Sequence, residues 1–313
     1  MLGRTANDLY WMARYMERAE NMARLLEVGY RLSLSPSEAG GDAWRSTLRS
    51  AGCEQAYLDR HDVIDRAQVV QFLLLDKDNS SSIYSCLASA RRNARAQRTA
   101  LTSDMWESLN SAWIDFSANA ARRMAPNELP ALFAWIRERS ALFRGSLLNT
   151  ILRNDTFFFS QLGTFLERAD NTARILDTKY YVLLPRNELV GGGLDSAQWA
   201  ELLRSVSAHR SFRWVYRDAF KPWLIADFLI LNPQMPRSLR ACYAEIAPAL
   251  AGLAASYGEE TACQSLAAET LSRLDRADMQ GIFQSGLHEF LTDFIAGNNR
   301  LGCEISTTYH FSD

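Results

Sequence analysis

The sequence is short of chain breakers. Its 313 residues include only 16 glycines and 8 prolines. That is about 8 % of the chain, against an average near 12 %. The shortage argues against a turn-rich β fold and excludes collagen-like or low-complexity order. Charge of one sign is lacking too: 34 Lys and Arg face 36 Asp and Glu, leaving a net charge of −2. A near-neutral chain carries no electrostatic footprint for general nucleic-acid binding. Cys53, Cys86, Cys242, Cys263 and Cys303 form no Cys-x-x-Cys step and no Cys/His cluster, so neither a zinc site nor a redox pair is expected. An odd number of scattered cysteines fits a reducing cytoplasm. No apolar run approaches the roughly 20 residues of a membrane helix; the longest, 246–255, contains Pro248 and Gly252. The first twenty residues carry charges every few positions and lack a signal-peptide core. The expectation is a soluble, cytoplasmic protein.

Catalytic signatures are missing as well. His61, His209, His288 and His310 stand alone. There is no Glu-x-x-His pair of the di-iron bundles. HExxH, the P-loop, GxGxxG and GxSxG are also absent. No metal site and no cofactor is expected.

What is present is an internal repeat. YMERAENMARLLEVGYR, residues 15–31, matches FLERADNTARILDTKYY, residues 165–181, at an offset of 150. Glu17/Glu167, Arg18/Arg168, Asn21/Asn171 and Arg24/Arg174 are identical between the two. WRSTLRS from Trp44 matches WAELLRS from Trp199 at offset 155, and FLLLDKDNSSSIYSCL from Phe72 matches FLILNPQMPRSLRACY from Phe228 at offset 156. Three blocks in one order point to a tandem duplication. The expected halves are about 1–152 and 153–313, sharing one core within a single domain.

Both halves read as helices. Leu9, Met12, Met16, Ala19, Ala23, Leu26 and Tyr30 recur at helical spacing after a capping-box-like Thr5/Asp8 start. Ser103–Asp104 opens another helix, and Pro126 and Pro130 precede a third. A long helix from about Asp155 stops before Pro185. Gly191-Gly192-Gly193 reads as a connector, with Asp195 and Gln198 capping the helix after it. No stretch alternates as a strand. The fold class expected is an all-α, tandem-duplicated helical bundle.

On a helical wheel, Glu17, Asn21 and Arg24 fall in one stripe, joined by Tyr10 and Arg14, opposite an apolar arc. Glu167, Asn171 and Arg174 repeat it, with Arg18 and Arg168 in the same blocks. One reading is a buried ion-pair network across a pseudo-twofold, with Glu17 pairing Arg174 and Glu167 pairing Arg24. Another is a polar pocket whose arginines hold a carboxylate or phosphate while the glutamates accept a proton. A third is plain surface pairing. Arg91, Arg95 and Arg98 recur at i, i+4 and i+7, which predicts one basic ridge: either a solvated ridge or partner to the acidic helices, or a site for an anion or an acidic partner.

The opening LGRTANDLYWMARYMERAENMARLLEV, with its Glu17-Arg18 step, resembles the bacterial alpha-E family, an all-helical domain named for a recurrent Glu-Arg motif. ARRNARAQRTALTSDMWESLN, residues 90–110, is similar to the family's second block, although Arg92 stands where an acid is expected. FLILNPQMPRSL, residues 228–239, is similar to its third. The motif positions are Glu17, Arg18, Asn21, Arg24, Arg91, Asn93, Arg95, Pro236, Arg237 and Ser238. The resemblance implies an all-helical fold. It also implies partnership with a circularly permuted ATP-grasp protein, and with transglutaminase-like peptidases, in making or modifying peptides or amide-linked metabolites. An accessory or binding role follows most simply. An enzyme, or a shared active site acting on a peptide or amino acid through the Glu/Asn/Arg stripe, is the alternative.

Overall fold

The computed structural model describes residues 1–33, 40–120, 125–183, 193–217 and 220–311. Among them are fifteen α-helices and no strand. In chain order these are α1 (Gly3–Ser33), α2 (Gly40–Ser50), α3 (Glu54–Leu58), α4 (Arg66–Leu74) and α5 (Ile83–Ala96). Then come α6 (Ser103–Ala120), α7 (Leu129–Thr150), α8 (Asp155–Leu183), α9 (Gly193–Ser205) and α10 (His209–Tyr216). The chain ends with α11 (Pro222–Ile230), α12 (Leu239–Tyr257), α13 (Ala262–Arg276), α14 (Met279–Ser285) and α15 (Leu287–Thr308). The all-helical reading is correct.

Two long central helices organise the rest. Helix α1 packs on α8, α5, α7 and α2, whereas α8 packs on α1, α12, α15 and α2. The buried apolar side chains of both groups form one continuous core. Helix α1 is covered on nearly every side: Leu9, Met12, Met16, Ala19, Ala23 and Leu26 are buried in this core, and Glu17, Glu20 and Asn21 are buried on another face. A helix enclosed on all sides is the normal result when its apolar positions outnumber one stripe.

Helices start where sequence chemistry allows. Asp65 caps α4 by accepting from the amides of Ala67 and Gln68. Ser82 caps α5 and Ser238 caps α12. Their hydroxyls also make equivalent returns, Ser82 to the Asp76 carbonyl and Ser238 to the Asn232 carbonyl, each at 2.6 Å. Pro222 takes the first turn of α11, where its missing N–H costs nothing. The expected Thr5/Asp8 start is corrected. Helix α1 begins at Gly3, the amides of Thr5 and Ala6 bond to the Leu2 carbonyl, and Asp8 instead accepts from Gln97 at 2.7 Å. Pro185, Gly191, Gly192 and the side chains of Asp195 and Gln198 lie outside the described residues, while Gly193 opens α9.

The approach of α1 to α8 is set by glycine. A Cβ on Gly163 would lie 2.1 Å from the Tyr10 carbonyl oxygen. Only a hydrogen fits there. From that close passage the helices rise side by side. Residue 10 meets 163, 14 and 18 meet 167, and 17 meets 168. The paired positions climb together, so α1 and α8 run parallel.

Candidate functional site

The parallel contact brings the two Glu-Arg steps face to face. Glu17 accepts Arg168 Nε and Nη2, both at 3.0 Å. Glu167 accepts Arg18 Nε at 2.6 Å and Nη2 at 2.9 Å. These are reciprocal bidentate pairs, the geometry a guanidinium offers and an ammonium does not. Neighbours in a helix point about 100° apart, so a Glu cannot close on the Arg beside it. The partner has to come from the other helix.

The pairing expected from the wheel is therefore corrected. Glu17 does not meet Arg174, and Glu167 does not meet Arg24. Arg24 and Arg174 lie seven residues beyond the glutamates, roughly 10 Å along the axis. Each bonds the acid one turn behind it on its own helix: Arg24 to Glu20, with Nη2 at 2.6 Å, and Arg174 to Asp170, with Nε at 2.7 Å. Arg24 also reaches the Ser207 hydroxyl at 2.6 Å. Asn21 and Asn171 are buried.

Each central carboxylate gathers further cations, from different places on the two sides. Arg144 of α7 reaches Glu17 at 3.1 Å and also bonds Glu20. Arg237, just before α12, reaches Glu17 at 3.1 Å and Glu20 at 2.7 Å, and donates to Asn21 Oδ1 at 3.2 Å. Glu167 instead takes its extra donor from α1 itself, Arg14 Nε at 3.0 Å. The reason lies in α15. Ser140 of α7 bonds the Met16 carbonyl, Asn298 of α15 bonds the Leu166 carbonyl, and four residues on stand Arg144 and Gly302. A Cβ at Gly302 would already touch Tyr10 Oη at 3.4 Å and Arg14 Nη1 at 3.7 Å. Glycine at 302 makes room for Arg14, whose guanidinium also bonds Tyr10 and lies over Trp11.

Sequence reasoning did not single out Glu20 or Arg144, it placed Arg14 on the stripe without naming its partner, and it named Arg237 only as a motif position. Glu20 had a signal, since its repeat counterpart Asp170 is also an acid. Arg144 had none, because its role depends on a third helix.

Three buried carboxylates (Glu17, Glu20 and Glu167) thus face six guanidiniums (Arg14, Arg18, Arg24, Arg144, Arg168 and Arg237). Burial pushes each carboxyl up, but the cations prevail. Arg18 and Arg14 hold Glu167 at about 2. Arg168 and Arg237 hold Glu17 below its usual range, and Arg237 and Arg144 hold Glu20 well below it. Arg237 feels the opposite balance, with burial drawing it down to about 10 despite both acids. It remains protonated at neutral pH. Burial raises Cys86 and Cys242 to about 12, so these two thiols, 156 residues apart and facing Arg18 and Arg168, are unreactive.

A depressed carboxyl contributes stability that is present above its unfolded value and lost as pH falls through its folded value. For Glu167 that window runs from its ordinary 4.5 down to about 2. The urea midpoint is expected to fall steadily across this range, and Glu167→Gln is expected to flatten the limb while lowering the plateau. An acid limb of unchanged slope in the variant would show that Glu167 is not its source.

Two surface grooves lie away from the cluster. One surface groove of about 460 Å³ is lined by Arg49, Gly52, Glu54, Gln55, Asp177 and Thr178. Another, of about 410 Å³, is lined by Arg210, Ser211, Trp214, Val215, Phe228 and Gln234. Neither is lined by Glu17, Glu20 or Glu167. The basic ridge is also corrected. Helix α5 ends at Ala96, so Arg98 falls in the short 3₁₀ turn Arg98–Ala100 and lies 4.6 Å over the Trp106 ring. Arg91 donates to Asn110 at 2.8 Å, and Arg95 is exposed.

Fold and site together define a helical protein whose two long central helices are locked by an exchanged Glu-Arg dipeptide. Residues 1–310 match the Alpha-E family, described as a predicted alpha-helical domain with a conserved ER motif, and the chain belongs to that family. Its Glu-Arg steps are Glu17-Arg18 and Glu167-Arg168. Similar curated proteins are the uncharacterized protein Mb2597 of Mycobacterium bovis and the uncharacterized proteins MT2643 and Rv2567 of Mycobacterium tuberculosis. They are 34 %, 34 % and 33 % identical over 118 residues. The match covers 33 % of this chain and 13 % of each relative, so the relatives are far longer than the segment shared. No solved structure matches the chain.

Proposed function

We propose that this chain is a non-catalytic helical partner of an ATP-grasp amide ligase, in a cytoplasmic system that makes or modifies peptides or amide-linked metabolites. One observation carries the non-catalytic part. Glu17, Glu20 and Glu167, the groups best placed for acid–base work, are buried, each held by two or more guanidiniums, and lie on neither groove. A general base needs a free lone pair near its working pH. Carboxylates held this low and this fully bonded are poor candidates. The ligase itself comes from the family's association with circularly permuted ATP-grasp proteins, and a transglutaminase-like peptidase is a further partner of the same kind. The presence of a related segment in much longer chains suits a module that works beside others. The structural parallels at offsets 150 and 156 support descent of the two halves from one repeat.

The expected result is a stable complex between this chain and a circularly permuted ATP-grasp protein from the same source. Mass spectrometry should find ATP-dependent products only when the two are combined. Failure to co-purify across a range of salt concentrations would overturn the partnership.

The second reading, a shared active site for a peptide or amino acid, draws on one observation: guanidiniums outnumber carboxylates two to one in the cluster. Such an excess favours an anionic group, and Arg18 and Arg144 retain about a fifth of their side-chain exposure. Glu17→Gln separates the two readings, as argued in the Discussion.

A further inference from the structure

Two surface segments at matching places in the repeat have opposite chemistry. Helices α4 and α11 are each nine residues long and begin 156 residues apart. The segment before α4 is Leu58–Asp65, acidic and aliphatic. The segment before α11 contains α10 and is basic and aromatic. The residue preceding each helix is Asp65 in one and Lys221 in the other. Positions 58 and 214, also 156 apart, are Leu and Trp, and both are exposed.

The basic side is concave. Phe212 and Tyr216 turn inward onto Phe228, which leaves Arg210, Arg213, Trp214 and Val215 outside. Trp214 is 82 % exposed and borders the 410 Å³ groove with Val215 and Phe228. Arg217, in a left-handed conformation at the helix end, is exposed as well. Among the described residues, the nearby acids Glu201 and Asp227 are bonded by Arg204 and Tyr216; Asp218, next to Arg217 in sequence, lies outside them. A single exposed tryptophan is ordinary. One standing over a groove between exposed arginines has the composition of an interface centre, where Trp and Arg dominate.

The acidic side is exposed and held in shape. Tyr57 Oη donates to the Val63 carbonyl at 3.0 Å, and His61 packs on the Tyr57 ring at 4.4 Å. Arg60 is drawn back onto Asp76 at 2.8 Å, so it does not neutralise the tip. Asp65 is used as the α4 cap. The tip therefore presents Val63, 67 % exposed, beside Asp62 and Asp59, with Leu58 behind. A pinned aliphatic knob flanked by carboxylates is the counterpart, in shape and charge, of an apolar groove flanked by guanidiniums.

We propose that the α10–α11 groove docks the Leu58–Asp65 loop of a second copy of this chain. Val63 enters the groove against Trp214, and Asp62 and Asp59 face Arg210, Arg213 and Arg217. The two surfaces differ, so the contact is head-to-tail. It closes into a ring when the rotation permits and otherwise continues as a chain. This self-association stands apart from the ligase reading.

The test is sedimentation of the full chain over about 1 to 200 μM, at low and at high salt. Association rising with concentration and weakening with salt is expected. Trp214→Ala, Arg213→Glu and Asp62→Arg should each weaken it by about tenfold or more, with the melting temperature unchanged because all three side chains are exposed. Arg213→Glu combined with Asp62→Arg should restore much of the association, since the exchanged charges face each other again. A wild-type chain that stays monomeric throughout overturns the proposal. So does association indifferent to these replacements, or a double variant weaker than either single one. Binding of a monomeric chain to anionic vesicles or to a separate acidic protein, in place of self-association, also overturns it.

Discussion

Glu17→Gln is expected to lower the unfolding free energy at neutral pH by about 3–5 kcal/mol, the cost of removing one partner from a buried ion pair. The reason is local. Arg144, Arg168 and Arg237 all converge on this carboxylate, and an amide leaves them buried against a neutral group. Glutamine keeps one acceptor oxygen and nearly the same volume, so the loss reports charge rather than a cavity. Adding Arg168→Met removes one stranded cation, and the double variant should cost less than the sum of the singles, with a coupling of about 1 kcal/mol or more. Urea unfolding of the four proteins measures this directly. If Glu17→Gln instead kept its stability and abolished ATP-dependent product formation in the reconstituted system, the active-site reading would win over the accessory one.

Gly163→Val is expected to be worse. Overpacking a core usually costs about 1–3 kcal/mol, but here the new atom meets backbone, the Tyr10 carbonyl at 2.1 Å, and a backbone cannot rotate away. Helices α1 and α8 would have to separate, pulling Glu17 from Arg168 and Glu167 from Arg18. The expected outcome is a chain that keeps helical circular dichroism but loses its cooperative melt. Gly145→Ala is the control. It also lies inside a helix, α7, but its Cβ meets nothing within 4 Å, so it should gain about 0.5–1 kcal/mol from helix propensity alone. A Gly163 variant melting like the Gly145 variant would show that the close passage is not needed.

These two results bear on what the sequence could reveal. The helices were legible because 3.6-residue periodicity is a local property. The starts of α6, α8 and α12 follow from nearby capping residues. The Glu-Arg stripe was legible as important because it recurs at offset 150, and its burial was one of the readings that recurrence allowed. Its pairing was not legible, since a wheel gives a residue's azimuth but not the height at which two helices meet. That height is set by Gly163, a residue with no side chain to attract notice. Arg144 and Arg237 were beyond reach for a related reason: they approach from separate elements, α7 and the turn before α12. Arg98 failed for a simpler one, because the helix stops two residues before it.

The exchanged Glu-Arg lock has a consequence for how the chain is made. Its bonds join residues 149 and 151 apart. Ribosomes add about 5–20 residues per second, so α1 leaves the ribosome roughly 8–30 s before its partner helix exists. Through that interval Glu17, Arg18 and Glu20 are hydrated charges in a segment whose other faces are apolar. The long-range contact order delays closure, and those same charges keep the waiting helix soluble. Charges that end up buried thus guard the nascent chain against aggregation until α8 arrives.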